Sequence, residues 1–458
     1  MTDEARPSGG SPRSGDTDPR TALDRRNSRP PVEKPRGKIR WVVVALLFVG
    51  TSIVYIDRAN LSAAAPRIQD EFGLSDFRLG LLLSGFFWSY ALFQLASGWF
   101  VDRVGARVSY TFAALAWSVF TAATAVGRGF VSLMGLRLLL GVGESPAYPS
   151  NAKAVREWMP KRERGLATGF YDSGSRVGTA LSLPIVVALI ASVGWRGSFI
   201  VTGLLGVVWA AVWWWFYRTP QEHTRVSPEE LDYITRDQEA VQAAAATATG
   251  KPAARWVDLL KHRSVWGMVL GNFCIAYVIY WFVTWFPTYL VDARGFDLPS
   301  LGSLGAIPAL VAVPTGWLGG LCADALVRHG WGLTRARKTL IIGGLLVSTC
   351  IVLSLLTNSS AVAITLLSLS YGSLTFANAS VWLLPSELAP SINNVASMAG
   401  IMNFAGNAGG ISTSVVTGAL LGASGGSFVV PLLVAGGFIV LGIVAYGVVI
   451  PRVEPIEV

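Results

Sequence analysis

Long apolar blocks separated by short polar breaks run along this chain from about residue 40 onward. They predict helices near 40–63, 76–101, 108–127, 131–155, 165–192 and 197–218. A polar stretch follows, and six more blocks fall near 264–292, 300–327, 338–357, 361–388, 393–422 and 426–450. A helix needs about 20 mostly apolar residues to cross a bilayer. The pattern therefore predicts an all-α polytopic membrane protein with twelve transmembrane helices in two six-helix bundles. The 3–4 and 5–6 divisions are the least marked.

The same pattern divides the chain into a disordered cytoplasmic tail at 1–38, a bundle at 39–218, a cytoplasmic linker at 219–262, a bundle at 263–450 and a short cytoplasmic tail at 451–458. The N-terminal tail is rich in Arg, Pro, Ser and Asp and has no apolar core for a cleavable signal peptide. The linker holds PEELDYI and the run AVQAAAATATG, which suits a connector carrying a short surface helix.

Composition agrees with a membrane protein. Hydrophobic residues make up 52% and charged residues 14%, against about 25% charged in soluble domains. Basic residues are strongly one-sided: 29 Lys and Arg fall in the tails and loops of one face, and only Arg67, Arg78, Arg128, Arg196 and Arg294 on the other. By the positive-inside rule both termini are expected in the cytoplasm. The net charge of +9 is thus a topology signal, and no nucleic-acid partner is expected. Cys274, Cys322 and Cys350 stand singly, without metal-like spacing, and the three histidines fall in predicted cytoplasmic loops. No metal or cofactor is expected, and any proton carried must ride on carboxylates.

A turn recurs at matching places in the two halves: GWFVDRVGAR from Gly98 to Arg107, and GGLCADALVRHG from Gly319 to Gly330. Gly98 would allow close helix approach, and Asp102 would cap a neighbouring helix and pair with a basic residue. Gly98, Asp102, Arg103, Gly105, Arg107 and Asp324 are therefore candidates for a latch that breaks when the protein changes state. GWFVDRVGAR, with the 6+6 layout and long central loop, resembles the 2–3 loop signature of the major facilitator superfamily. That resemblance implies two six-helix bundles rocking about a central cavity.

Charges at membrane depth cost at least roughly 2.5–3.5 kcal/mol each and need a reason. Helix 1 carries Asp57 and Arg58 in YIDRAN. Neighbouring helical residues point about 100° apart, so each should seek a partner across the cavity. Helix 4 carries Arg137 and Glu144 in RLLLGVGESPAYP, on one face but about 10 Å apart in rise. Helix 5 carries Asp172 and Arg176, four apart and able to pair with each other or to meet substrate. In the second half Asp292, Asp324 and Glu387 lie near predicted helix ends, and aromatic and amide groups such as Trp382, Asn403 and Asn407 take over.

Two buried arginines suit a carboxylate, since guanidinium donates in a planar fork, and two nearby carboxylates can carry protons. The expected activity is anion–proton symport. In the empty site Asp57 and Glu144 neutralise the arginines, and protonation frees Arg58 and Arg137 for the anion.

YIDRANLSAAAP, RLLLGVGESPAYPSN, TWFPTYL and NFAGNAGGI further resemble the anion:cation symporter family, most of all bacterial sugar-acid carriers of the galactonate and glucarate type. That resemblance places the substrate carboxylate on Arg58 and Arg137, the protons on Asp57 and Glu144, and hydroxyl contacts on Tyr55, Tyr90, Trp382 and Asn403. It departs in helix 5, where GFYDSGSRVG has Ser175 in place of the family's Gln and adds Asp172 and Arg176. That change should alter which hydroxyls, or which second anionic group, are recognised. A carrier for an aromatic or dicarboxylic acid, a sodium-coupled carrier and a membrane sensor on this scaffold remain alternatives. A drug antiporter is disfavoured because helix 5 lacks a Gly-Pro signature. The partners expected are a small organic anion, protons and the bilayer, with the chain a monomer and not an enzyme.

Overall fold

The computed structural model describes residues 37–235, 256–390 and 394–457. The expectations for most of the N-terminal tail and for AVQAAAATATG fall outside them. Among the described residues all regular structure is helical.

Helix α1, Ile39–Phe72, runs nine residues past its predicted end. It passes Pro66 and stops at Gly73, whose left-handed backbone (φ 57°) lets its N–H reach Gln69 O. The polar last turn is held from outside. Glu71 accepts from Trp195 Nε1 at 2.8 Å and from Arg196 at 2.8 and 2.6 Å.

The rod Asp76–Ala123 breaks at Gly105 (φ 82°, ψ 163°) into α2 (76–104) and α3 (106–123). Likewise Lys161–Phe216 breaks at Gly194 (φ 75°, ψ 169°) into α5 (161–193) and α6 (195–216). Contacts with α1 show that the chain reverses at Gly194. Phe48 and Ser52 face Gly174 and Gly178 in rising order, whereas Leu46 and Asn60 bond to Trp209 and Ser198 in falling order. One glycine in the left-handed region is the whole turn, which explains why the apolar pattern blurs there.

Between these rods, α4 comprises Phe130–Glu144 and, after a break at Ser145–Pro146, Ala147–Trp158. In the second half α7 is Arg263–Thr284, extended through Phe286–Thr288 and a π turn at Tyr289–Ala293. Then come α8 (Ile307–Arg328), α9 (Leu333–Ser348, tightening over Thr349–Leu356), α10 (Ser360–Val381, then Leu384–Leu388), α11 (Val395–Ala423) and α12 (Val429–Val444, then Ala445–Val449). Eight helical stretches among the described residues are long and apolar enough to cross a membrane. Glu163–Phe216 turns back at Gly194 and counts twice, and α2, α4 and α11, with more glycine, serine or charge, complete twelve crossings.

The two bundles meet closely at the end away from residues 37 and 457. A Cβ on Gly418 of α11 would stand 3.1 Å from Gly80 Cα of α2, and one on Gly302, just before α8, 3.0 Å from Val187 of α5.

At the opposite end, residues 217–235 fold back onto the first bundle. Trp158 Nε1 donates to Arg218 O (3.0 Å), Tyr217 OH to Glu157 (2.6 Å), and the His223 ring packs against Trp158 and Phe216. Glu230, fully buried, accepts from Arg40 Nη1 (2.9 Å) and from the backbone N–H of Ile39 and Arg40. Arg40 Nε donates to Glu163 (3.0 Å), which also accepts from Tyr233 OH (2.8 Å). Arg40 is thus the centre of a buried knot tying the starts of α1 and α5 to the linker.

Candidate functional site

The membrane-depth charges of α1 and α4 converge where the bundles meet. Gly141 makes this possible: α4 presses there against Phe86, Ser89 and Tyr90 of α2, with no room for a side chain. Arg58 forms a buried ion pair with Glu144, Nε donating to Oε1 at 2.7 Å and Nη2 donating to the same oxygen. Its guanidinium lies 4.9, 4.5 and 5.0 Å from the ring centres of Tyr55, Phe86 and Tyr90. This aromatic cage repays part of the desolvation of the cation.

Arg137 is also buried, yet its Nε and Nη2 have no hydrogen-bond partner among the described residues. Both oxygens of buried Asp57 and Oε2 of Glu144 are in the same condition. Asp57 lies by the Thr202 hydroxyl, within electrostatic reach of Glu144 and Arg137. Asp57 and Glu144, expected to neutralise the two arginines, meet them differently. Glu144 holds Arg58, while Asp57 makes no ion pair with Arg137, whose donors stay open. Buried charges seldom lack partners, so this constellation is poised for something that brings acceptors and protons.

A small cavity opens on it from the bundle interface. Its polar lining is Tyr55, Arg58, Ser62, Arg137, Tyr280 and Thr284, closed by Leu61, Leu83, Phe86 and Phe87. Tyr280 and Thr284 belong to α7, and Phe87 meets Tyr280 edge-on at 4.6 Å. The wall is thus shared between the two halves. Nothing in the sequence singles out Tyr280, because several aromatics in YWFVTWFPTYL are equally good membrane-facing candidates.

The remaining predicted residues fall elsewhere. Tyr90 caps Arg58 without lining the cavity. Trp382 is half exposed (51%) just past Val381, and Asn403 accepts from Asn407 Nδ2 at 3.2 Å; neither lines the cavity wall. Ser175 donates to the Asp172 carbonyl at 2.6 Å. Asp172 and Arg176 pair with each other at 3.6 Å.

At the 2–3 turn Asp102 pairs with Lys153 at 3.7 Å, Arg103 lies on the Trp99 ring, and Arg107 donates to Trp214 O. Gly98 has open space where a Cβ would stand, so the close approach expected there does not occur in this conformation, and Asp324 is exposed. Arg337, read as a loop charge, is buried at the start of α9 and donates to Glu387 at 2.9 and 2.7 Å.

Two bundles of six helices, joined by a linker and sharing a charged cavity at membrane depth, define a multi-pass membrane carrier. Residues 47–414 match the Major Facilitator Superfamily, and the chain belongs to that family. It is 38% identical over 413 residues to a D-galactonate transporter of Escherichia coli O6:H1, covering 90% of this chain and 95% of the relative. It is 32% identical to the "Probable galactarate/D-glucarate transporter" of Bacillus subtilis (90% and 92% covered) and 34% to the "Probable sulfoacetate transporter" of Cupriavidus necator (90% and 94%). Among solved structures, a bacterial homologue of the human lysosomal transporter Spinster superposes with a TM-score of 0.73 at 18% identity, covering 91% of this chain and 97% of that one. That likeness speaks for the fold.

Proposed function

We propose that this protein is a proton-coupled importer of an organic anion of the sugar-acid class. The observation that carries the reading is the pairing of Arg58 with Glu144 beside an Arg137 whose donors are open to the cavity. Relatives named for galactonate, galactarate and glucarate support the substrate class.

In the empty carrier Glu144 occupies Arg58. A proton on Glu144 weakens that pair and frees the guanidinium fork. An incoming carboxylate then accepts from Arg58 and Arg137 together, with its hydroxyls toward Tyr55, Tyr280 and Thr284. Asp57, buried and unpaired, is the second place for a proton, and the loaded site carries less net charge through the occluded state than either ligand alone would impose. The one-sided basic residues support described chain ends on the cytoplasmic side, and the bacterial relatives support a bacterial inner membrane. The bundles touch at the far end, which supports a cavity shut off from that side in this conformation.

The test is uptake into proteoliposomes of hexonates, hexuronates, aldarates and aromatic acids under imposed proton or sodium gradients. Accumulation driven by an inward proton gradient is expected; accumulation driven by sodium alone, or none for any acid, defeats the reading. Glu144→Gln should abolish proton-driven accumulation yet keep counterflow exchange. Arg137→Lys should weaken apparent affinity at least tenfold, because the planar fork is lost.

A further inference from the structure

Helix α5 carries a second charged pair that the site above does not use. Asp172 and Arg176 approach at 3.6 Å, well beyond the roughly 2.7–2.9 Å of a tight charge-assisted hydrogen bond. Their side chains are 41% and 28% exposed, where those of Glu144 and Arg58 are 1% and 9%. The pair is loose and open, not sealed.

Its position is specific. Arg176 reaches across the bundle interface, its Nε 3.3 Å from where a Cβ on Gly316 of α8 would stand. Next to Gly316, Thr315 shares a hydrogen bond with Thr375 of α10 at 3.0 Å, so the facing wall is polar. On its other side Asp172 neighbours the Tyr148 hydroxyl, which lies 3.5 Å from the Tyr55 hydroxyl, and Tyr55 covers Arg58. A polar line thus joins the second pair to the first.

The separation follows from helix geometry. Helices α1 and α5 run parallel, with Ser52 facing Gly178. Arg58 is six residues beyond Ser52 and Arg176 two before Gly178, a difference in depth of about 12 Å at the α-helical rise. Arginine side chains are long and rich in rotamers, so the two guanidinium groups can close part of that depth and bracket a six-carbon acid.

We propose that Arg176 is a second anion-recognition residue, held in reserve by Asp172, and that the preferred substrate is a dianion: a polyhydroxy acid with a carboxylate at each end. This rests on the reading of the protein as an organic-anion importer. One carboxylate takes Arg58 and Arg137, and the other displaces Asp172 from Arg176.

The experiment compares glucarate with gluconate, which differ in the second carboxylate, in proteoliposomes under one proton gradient. It uses the full chain and its Arg176→Gln and Asp172→Asn variants, with thermal unfolding in detergent to verify folding. The parent should favour glucarate by at least tenfold in kcat/KM. R176Q should lower the glucarate-to-gluconate ratio at least tenfold and D172N should raise it. A parent that favours gluconate, or variants that depress both acids in proportion, would overturn the proposal and leave the importer reading standing. If the parent accumulates no organic acid at all, both readings fail.

Discussion

Deleting the Glu144 side chain and deleting only its charge are different operations at this site. Glu144→Ala leaves Arg58 buried, caged by aromatic rings and without a counter-charge, a situation worth about 3–5 kcal/mol of destabilisation. Glu144→Gln keeps an oxygen to accept from the guanidinium. Scanning fluorimetry in detergent should show a marked fall in thermal midpoint for the alanine variant and a much smaller one for the glutamine variant; equal falls would mean that the oxygen kept by glutamine does not stand in for the carboxylate. The four charged residues themselves stood out in the sequence, because charge at membrane depth is costly. Their pairing did not. It depends on how α1 is rotated against α4, and a one-dimensional pattern does not record rotation between helices. The buried roles of Arg40 and Arg337 were hidden for a related reason. A basic residue at the start of a helix satisfies the topology rule whether it is solvated or buried, and the only hint was the carboxylates Glu163, Glu230 and Glu387 on the face dominated by basic residues.

At the scale of elements, the linker segment behaves as part of the first bundle. Glu230→Ala removes the acceptor of Arg40 Nη1 and of two backbone N–H groups; Arg40 keeps Glu163 as a counter-charge, so the cost is that of buried donors left unmet, about 1–3 kcal/mol, read as earlier unfolding and faster proteolysis after Tyr217. The strap is also sensitive to acid. Burial, and next Arg225, hold the His223 imidazole below its ordinary value of 6.5, so the folded strap favours the neutral ring. The unfolded chain binds the proton more readily, and stability should be full above about pH 6.5 and decline as pH falls below it. A His223→Asn variant should flatten that dependence of the thermal midpoint. The linker's short helix was legible from PEELDYI; its attachment was not, because the residues that receive it lie 70 and more positions away. Helix number was legible, and the 2–3 division at Gly105 was marked by the polar DRVGAR; the 5–6 division was faint because the single-residue turn at Gly194 leaves almost no polar break.

Across the whole molecule, conformational change must separate the bundles where they now touch. Gly80→Ala should crowd Ser414 and Gly418, disfavour the closed far end and raise the accessibility of a cysteine placed there to an impermeant thiol reagent. Gly98→Ala, with open space around it, should leave that accessibility unchanged. The closest part of this seam, Gly80 against Gly418, is backbone against backbone. The contact itself has no side chain to refit, yet acids stand beside it: Asp76 carries the carbonyl nearest Gly418, and Asp292 at the end of α7 lies within electrostatic reach of Asp70 and Asp76 of the first bundle. Shutting this door crowds like charges, and a proton from outside relieves the crowding. The outer door therefore answers to the acidity of the far side, while the inner traffic is steered by whether Arg58 finds Glu144 or a passenger in front of it.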